Sequence, residues 1–337
     1  MNEKLRHIED PGQWRETLKR FPQADTYHCV AYHQANTRPG DRPVLLHYAH
    51  ARGEVALPLV LQPIPKSTYW DARTVYGYGG PLAIGQPCPD RGFQQVLAAF
   101  MQEFRAVSIF ARLHPFLPAQ ETLLAGLGEI RNKGEVVYLD LQAREAEIRG
   151  QFQARNRSQI NHYRKLSRVV HRTDAEAPAL FKEIYDETMA RVGARREYFF
   201  PLEYYRQLLA ARDFRADFLF AETRDTGEAI GAAILLRKHP YAHYHLSGTR
   251  EAGLALSPSR LLIDHMWRLA KKEGQHLLNL GGGLGGRKDG LYQFKSHFSQ
   301  LRKPFRVWQY IALPEVYGEL TQGMDPHTDY FPLYRRP

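Results

Sequence analysis

One order of elements runs through this chain twice, and it limits the fold more than any single motif does. In the first half, residues 11–21 suit a helix, residues 44–50 and 54–62 form a hairpin around Ala51-Arg52-Gly53, and residues 73–78 make a third strand. A helix over 92–105 and strands over 107–112 and 135–141 follow. The second half repeats the theme with helices over 179–192 and 202–212, and strands over 218–223 and 229–238 around Asp225-Thr226-Gly227. A third strand over 241–249 comes next, then a helix opened by Ser257-Pro258 and closed at Gly274, then a strand at 276–280. The 337 residues exceed what one hydrophobic core usually organises. The expectation is therefore an α/β (α+β) protein of two related domains, with mixed sheets flanked by helices. The first covers residues 1–143 plus 304–337, the second residues 144–303.

With 43% hydrophobic and 24% charged residues the chain reads as globular. Its longest clear apolar run, residues 229–236, falls far short of the ~20 residues that span a bilayer, and the polar amino terminus lacks the apolar centre of a signal peptide. Cys29 and Cys88 are too few for a disulfide framework and lack metal-ligand spacing. A cytoplasmic setting without a transmembrane segment follows as an expectation.

Chemistry concentrates where the 276–280 strand runs into Gly281 to Gly286 and then Arg287-Lys288-Asp289-Gly290. Glycines let the backbone take positive φ and approach a ligand closely, so a glycine turn followed by Asp289 and Lys295 reads as a site. Gly281, Gly283 and Gly286 satisfy G-x-G-x-x-G, but only about fifty residues remain to build a dinucleotide-binding domain, which would normally open the fold. A Walker loop fails, because Lys288 is followed by Asp289 where Ser or Thr is required. Asp289 either takes a proton from an attacking amine or caps the helix that follows.

The formal charge of +10 is unevenly spread. From Arg149 to Arg172 the charged residues are all Lys or Arg. On one helix, Phe152, Ile160, Tyr163, Leu166 and Val170 would share an apolar face, and Arg157, Arg164, Lys165, Arg168 and Arg172 a cationic one. A solvated face usually mixes signs, so a polyanion such as RNA is the functional alternative to a merely soluble surface. A second cationic group, Arg191, Arg195 and Arg196 before Tyr198, suits a phosphate-bearing ligand or a neutralised helix end. On the strand over 241–249, Tyr244 and Ser247 are candidates to face the site. Tyr241, His243 and His245 take the opposite face, and without a carboxylate partner these histidines give no metal site.

Three segments resemble the FemABX family of aminoacyltransferases. Residues 75–82 (VYGYGGPL) are similar to its tyrosine and glycine turn, residues 155–168 (RNRSQINHYRKLSR) to its basic helix, and residues 278–299 (LNLGGGLGGRKDGLYQFKSHFS) to its terminal glycine, Asp and Phe-Lys signature. The resemblance implies two GNAT-like domains of the compact type, without the long helical hairpin of larger members. It also implies transfer of an aminoacyl group from a charged tRNA to an amine of a cell-wall precursor or small peptide, the acceptor being nucleotide- or lipid-linked. Lys295 then binds the donor or stabilises developing charge, with Phe294 beside it and Gly281, Gly282 and Gly283 lining the site. One of Arg191, Arg195 and Arg196, with Tyr198, holds the acceptor diphosphate. Arg157, Arg164, Lys165 and Arg168 meet the tRNA, and no cofactor or metal is needed. Residues 250–255 (REAGLA) also fit the R-x-x-G-x-A pattern that holds a coenzyme A pyrophosphate in ordinary GNAT enzymes, which keeps an acyl-CoA donor open. A non-catalytic RNA-binding module is the reading from another class.

Overall fold

Apolar runs on both sides of Ala51-Arg52 make the first hairpin, whose antiparallel register closes with His50 opposite Gly53. The computed structural model describes residues 4–85 and 91–336, so Cys88 lies outside the described residues, while Cys29 is buried. The chain divides into two units, residues 1–133 with 304–337 and residues 134–303. The first contains β1 (Lys4–Ile8), α1 (Pro11–Leu18), α2 (Val30–Ala35), β2 (Arg42–His50), β3 (Gly53–Pro63), β4 (Trp70–Arg73), β5 (Leu82–Gly85), α3 (Arg91–Glu103), β6 (Ala106–Arg112), α4 (Ala119–Leu123) and the start of β7 (Glu129–Asp140). The second unit takes the rest of β7, then α5 (Glu145–Gly150), α6 (Ala154–Leu166), β8 (Ser167–Arg172), α7 (Ala177–Arg191) and α8 (Leu202–Ala210). It continues with β9 (Arg215–Thr223), β10 (Ala229–Lys238), β11 (Tyr241–Thr249), α9 (Pro258–Lys272), β12 (Leu277–Gly281) and α10 (Gly290–Ser296). The chain then returns to the first unit through β13 (Arg302–Ile311) and α11 (Pro314–Leu320).

Each unit builds its sheet by the same rule. In the first the order is β1-β2-β3-β4-β6-β13, in which β4 and β6 run parallel and the other neighbours antiparallel. In the second it is β8-β9-β10-β11-β12-β7, with β11 and β12 parallel. A parallel pair needs a long crossover, and α3 and α9 supply it. Helix α9 buries Leu262, Ile263, Met266 and Trp267 under the second sheet, where Phe152 and Phe298 meet edge to face at 5.2 Å. In the first unit Trp308 of β13 is fully buried and its Nε1 donates to the Leu127 carbonyl at 2.5 Å. Burying such a side chain contributes about 2–3 kcal/mol, which fastens the returning strand.

Three expectations need correction, and one strand, β1, was not foreseen. The third strand of the first unit is Trp70–Arg73, not residues 73–78, because the chain turns away through Gly77, whose φ of +128° ends a strand. The basic helix stops at Leu166, and Ser167–Arg172 is an edge strand paired with β9, so Arg168, Val170 and Arg172 are not on a helix. Two adjacent β-branched residues, Val169 and Val170, favour that change, and the charges flanking them protect the open edge. Ser257 stands at the start of α9 but in the left-handed region (φ 42°), and its side chain makes no capping bond. The polar amino terminus holds a strand, β1, paired with β2. Among the described residues no helix is long and apolar enough to cross a membrane.

Candidate active site

The site is set by a parallel pair that stops early. β11 and β12 pair only over Tyr241–His243 and Leu277–Asn279, whereas β11 continues along β10 to Thr249. Beyond Asn279 the neighbours therefore part, and the glycine turn leaves from that point. Gly281 has φ +76°, and a Cβ on Gly283 would lie 2.3 Å from Asp289 Oδ1, so neither position accommodates a side chain.

Asp289 holds this turn. Its carboxylate accepts from the backbone N–H of Tyr292 at 3.0 Å, capping α10, and from that of Leu284 at 2.8 Å. Burial pushes its pKa up, but the backbone N–H groups of Tyr292, Leu284 and Leu291 and the nearby Arg287 hold it below the ordinary carboxylate value. A carboxylate so engaged is a weak base, and its place in the structure is the cap. Asp289→Ala is expected to cost about 1 kcal/mol, the worth of a typical lost cap. Asp289→Asn still accepts N–H bonds, so urea melts and transfer rates should stay near those of the parent. An Asn variant as inactive as the Ala variant would make the carboxylate a proton acceptor instead.

Lys295, one turn into α10, is buried, and its Nζ donates to the Gly282 carbonyl at 2.7 Å. Burial lowers its pKa to about 8, with Asp289 pulling the other way. The ammonium lies 6.0 Å from the centre of the Tyr244 ring. The Tyr244 hydroxyl donates to Ser247 Oγ at 2.5 Å, and burial keeps it protonated against the pull of Ser247 and Ser259.

Strict alternation would set Tyr244 and Ser247 on opposite faces. A bulge resolves this: Ile234 pairs with Leu246 and Leu235 with Tyr244, leaving His245 as the extra residue. His245 instead meets the Tyr204 hydroxyl at 2.7 Å. Phe294 packs on Phe298 at 5.5 Å, and the Arg260 guanidinium covers its ring at 5.2 Å. Sequence reasoning missed Arg260, which also donates to Asn156 Oδ1 at 2.6 Å.

The other predicted groups are dispersed. Arg191 donates to the Thr249 carbonyl at 2.9 Å, Arg195 pairs with Glu197 at 2.6 Å and lies 5.9 Å from the Tyr198 ring centre, and Arg196 is exposed. They do not converge on one point. The cationic wall also has acids, brought from distant elements: Arg164 pairs with Asp264 and Arg168 with Glu222, while Arg157 donates to the Gly150 and Phe152 carbonyls. Lys165 is exposed.

Residues 250–255 form a tight turn between β11 and α9. The Glu251 N–H there donates to Glu187 Oε1 at 2.7 Å, and Arg250 is fastened to the Ala229 carbonyl and to Glu183. Gly253 is required by packing, since a Cβ would lie 2.5 Å from the Ile230 carbonyl oxygen. A bulky residue at Gly253 therefore disrupts this turn whatever the donor, and does not distinguish the two donors.

Residues 150–296, which hold most of this geometry, match the family described as Acetyltransferase (GNAT) domain. The second unit has a GNAT-like fold, that of acyltransferases. No curated protein matches the chain in sequence. Its fold is shared with FemX at a TM-score of 0.74 and 14% identity, over 95% of this chain and 100% of that one. The C-terminal domain of a putative lysylphosphatidylglycerol synthetase from Agrobacterium fabrum aligns at 0.57 and 15% identity, over 93% and 97%. A tandem GNAT protein from the clavulanic acid biosynthesis pathway aligns at 0.52 and 15% identity, over 92% and 99%. Two GNAT-like units in one chain, the first completed by β13, agree with the fold of these structures.

Proposed function

We propose that this acyltransferase moves an aminoacyl group from a charged tRNA to an amine, forming an amide. The observation that carries the reading is the buried ammonium of Lys295 over the glycine turn, 6.0 Å from the centre of the Tyr244 ring, where the strands β11 and β12 part. The acceptor amine attacks the ester carbonyl, and the carbonyl oxygen becomes an oxyanion that a nearby cation stabilises. Collapse breaks the ester C–O bond, the amide forms, and the proton lost by the amine ends on the departing ribose oxygen. Lys295 supplies the positive charge and Phe294 an apolar wall, while Tyr244, whose hydroxyl proton is held by Ser247, lines the site. The basic surface that includes Arg157, Arg164, Lys165 and Arg168 favours a polyanionic donor. Likeness to FemX and the FemABX-like motifs support a cytoplasmic enzyme acting on a cell-wall precursor, needing no cofactor beyond the aminoacyl-tRNA. Arg195 and Arg196 are both exposed and accessible to an acceptor phosphate, more so than Arg191.

Matching a GNAT acetyltransferase domain keeps coenzyme A thioesters as the second reading, since the same steps apply with a thiolate leaving group. Incubating the protein with charged tRNA or acyl-CoA and a panel of amines separates them. Loss of the aminoacyl ester with matching amide formation is expected. Release of coenzyme A while the charged tRNA persists would replace the tRNA reading, and consumption of neither would leave an RNA-binding module.

A further inference from the structure

Asp264 is a lone carboxylate on the buried face of α9, its side chain only 2% exposed, and three arginines converge on it. Arg149 of α5 reaches Oδ1 at 3.1 Å, Arg164 of α6 bonds Oδ2, and the Nε of Arg268, one turn along α9, stands 3.6 Å away. Arg149 is further held by Asn161 Oδ1, and Arg268 lies over the Trp267 ring at 4.3 Å. Glu145 reaches Arg268 at 3.2 Å from an exposed position.

One guanidinium suffices to neutralise a buried carboxylate, so three are more than Asp264 requires. With Arg157 close enough to act on Arg149, four cations face the carboxylates of Asp264 and Glu145. The excess is fixed in orientation: Asp264 occupies one edge of each guanidinium, while Arg164 and Arg268 keep 40% and 36% of their side chains in solvent. Guanidinium forks held in place bind phosphate oxygens bidentately with less ordering cost than free side chains. Sequence reasoning made Arg164 a candidate without its acid, because Asp264 lies 100 residues from Arg164 and 115 from Arg149.

We propose that Arg149, Arg164 and Arg268, organised by Asp264, form a seat for backbone phosphates of RNA. This rests on the reading that the donor is a charged tRNA, and it locates where that tRNA is gripped. Backbone phosphate contacts position a nucleic acid without reading its sequence, so the seat accepts different tRNAs alike.

Deacylated, fluorescently labelled tRNA titrated against the full-length protein from about 50 to 200 mM salt tests this without any transfer chemistry. Arg268→Gln and Arg164→Gln are each expected to weaken binding several-fold and to lower the salt slope by about 1, the signature of one lost phosphate contact. Arg164→Lys keeps the charge but not the fork, so it should weaken binding while leaving the slope intact. Both positions are more than one-third exposed, and thermal melts check that the variants fold. Parent affinity and slope in the Gln variants would overturn the seat, as would binding to anionic phosphatidylglycerol vesicles with none to tRNA. If acyl-CoA proves to be the donor while the Gln variants still lose tRNA, the donor reading fails and the seat stands. If charged tRNA is consumed and the Gln variants bind it normally, only the seat fails.

Discussion

Replacing Lys295 with Met is expected to lower the transfer rate about 10²–10³-fold, the usual effect of removing one group that stabilises an oxyanion. Met retains most of the apolar volume, so a thermal melt close to that of the parent is the expected control. The sharper test is the pH profile. Burial holds Lys295 near a pKa of about 8, so a large part of the population changes charge within a workable range. If the ammonium stabilises the oxyanion, the parent rate falls as pH rises through about 8, tenfold per unit once the lysine is mostly neutral. That falling limb should be missing from the Met variant, which is slow throughout. Because the acceptor amine titrates alike in both proteins, the ratio of parent to Met rate is the readout, and a ratio that climbs through the same pH would make the assignment of Lys295 as the positive group wrong. The Gly282 carbonyl, 2.7 Å from Nζ, orients the ammonium at the turn, but a neutral carbonyl leaves its charge uncancelled.

This lysine was legible in the sequence because everything that places it is local. β12, the glycine turn, the Asp289 cap and α10 follow one another without interruption, and the Lys295 contact to Gly282 spans thirteen residues. The hairpins and the two crossover helices were readable for the same reason, since turn residues and apolar periodicity are local signals. Failures occurred where partners are far apart in the chain. The run from Arg149 to Arg172 carries no acid of its own, yet Asp264 and Glu222 reach it through tertiary structure. An acid amid the apolar positions of α9 was the available clue to Asp264. The change from helix to strand at Ser167 was hidden because the spacing of arginines continues across it. Tyr244 and Ser247 bond to one another although strand parity argues against it, and the His245 bulge that brings them together leaves no mark in the sequence.

Acid is expected to unfold this protein well above the pH at which its carboxylates titrate. Three histidines are buried in a neutral state: burial lowers His28 to about 3, His33 to about 4 and His245 to about 3. Hydrogen bonding fixes how two of them sit. His28 Nδ1 accepts from the Asp25 N–H, so the proton is on Nε2. His33 Nδ1 bonds the Cys29 carbonyl, so it carries the proton and Nε2 is bare. An added proton on His33 would sit on Nε2, which is buried without a hydrogen-bond partner among the described residues, and one on His28 would sit on Nδ1 at the cost of the Asp25 N–H bond. In the unfolded chain each ring protonates near pH 6.5. Between that value and the lowered ones the unfolded state binds more protons, so stability rises with pH and is lost as pH falls through 6 and 5. Each ring contributes a slope approaching about 1.4 kcal/mol per pH unit, and the three together about 4. Urea unfolding at pH 7, 6 and 5 should show midpoints nearly constant above 7 and falling steeply below 6. His33→Phe, which keeps an aromatic ring beside Trp14, should remove about a third of that slope. Equal midpoints at pH 7 and 5, or a Phe variant as acid-sensitive as the parent, would mean that these histidines accept protons inside the fold. The first unit holds two of the three, so if the units unfold separately its transition should move to lower urea first.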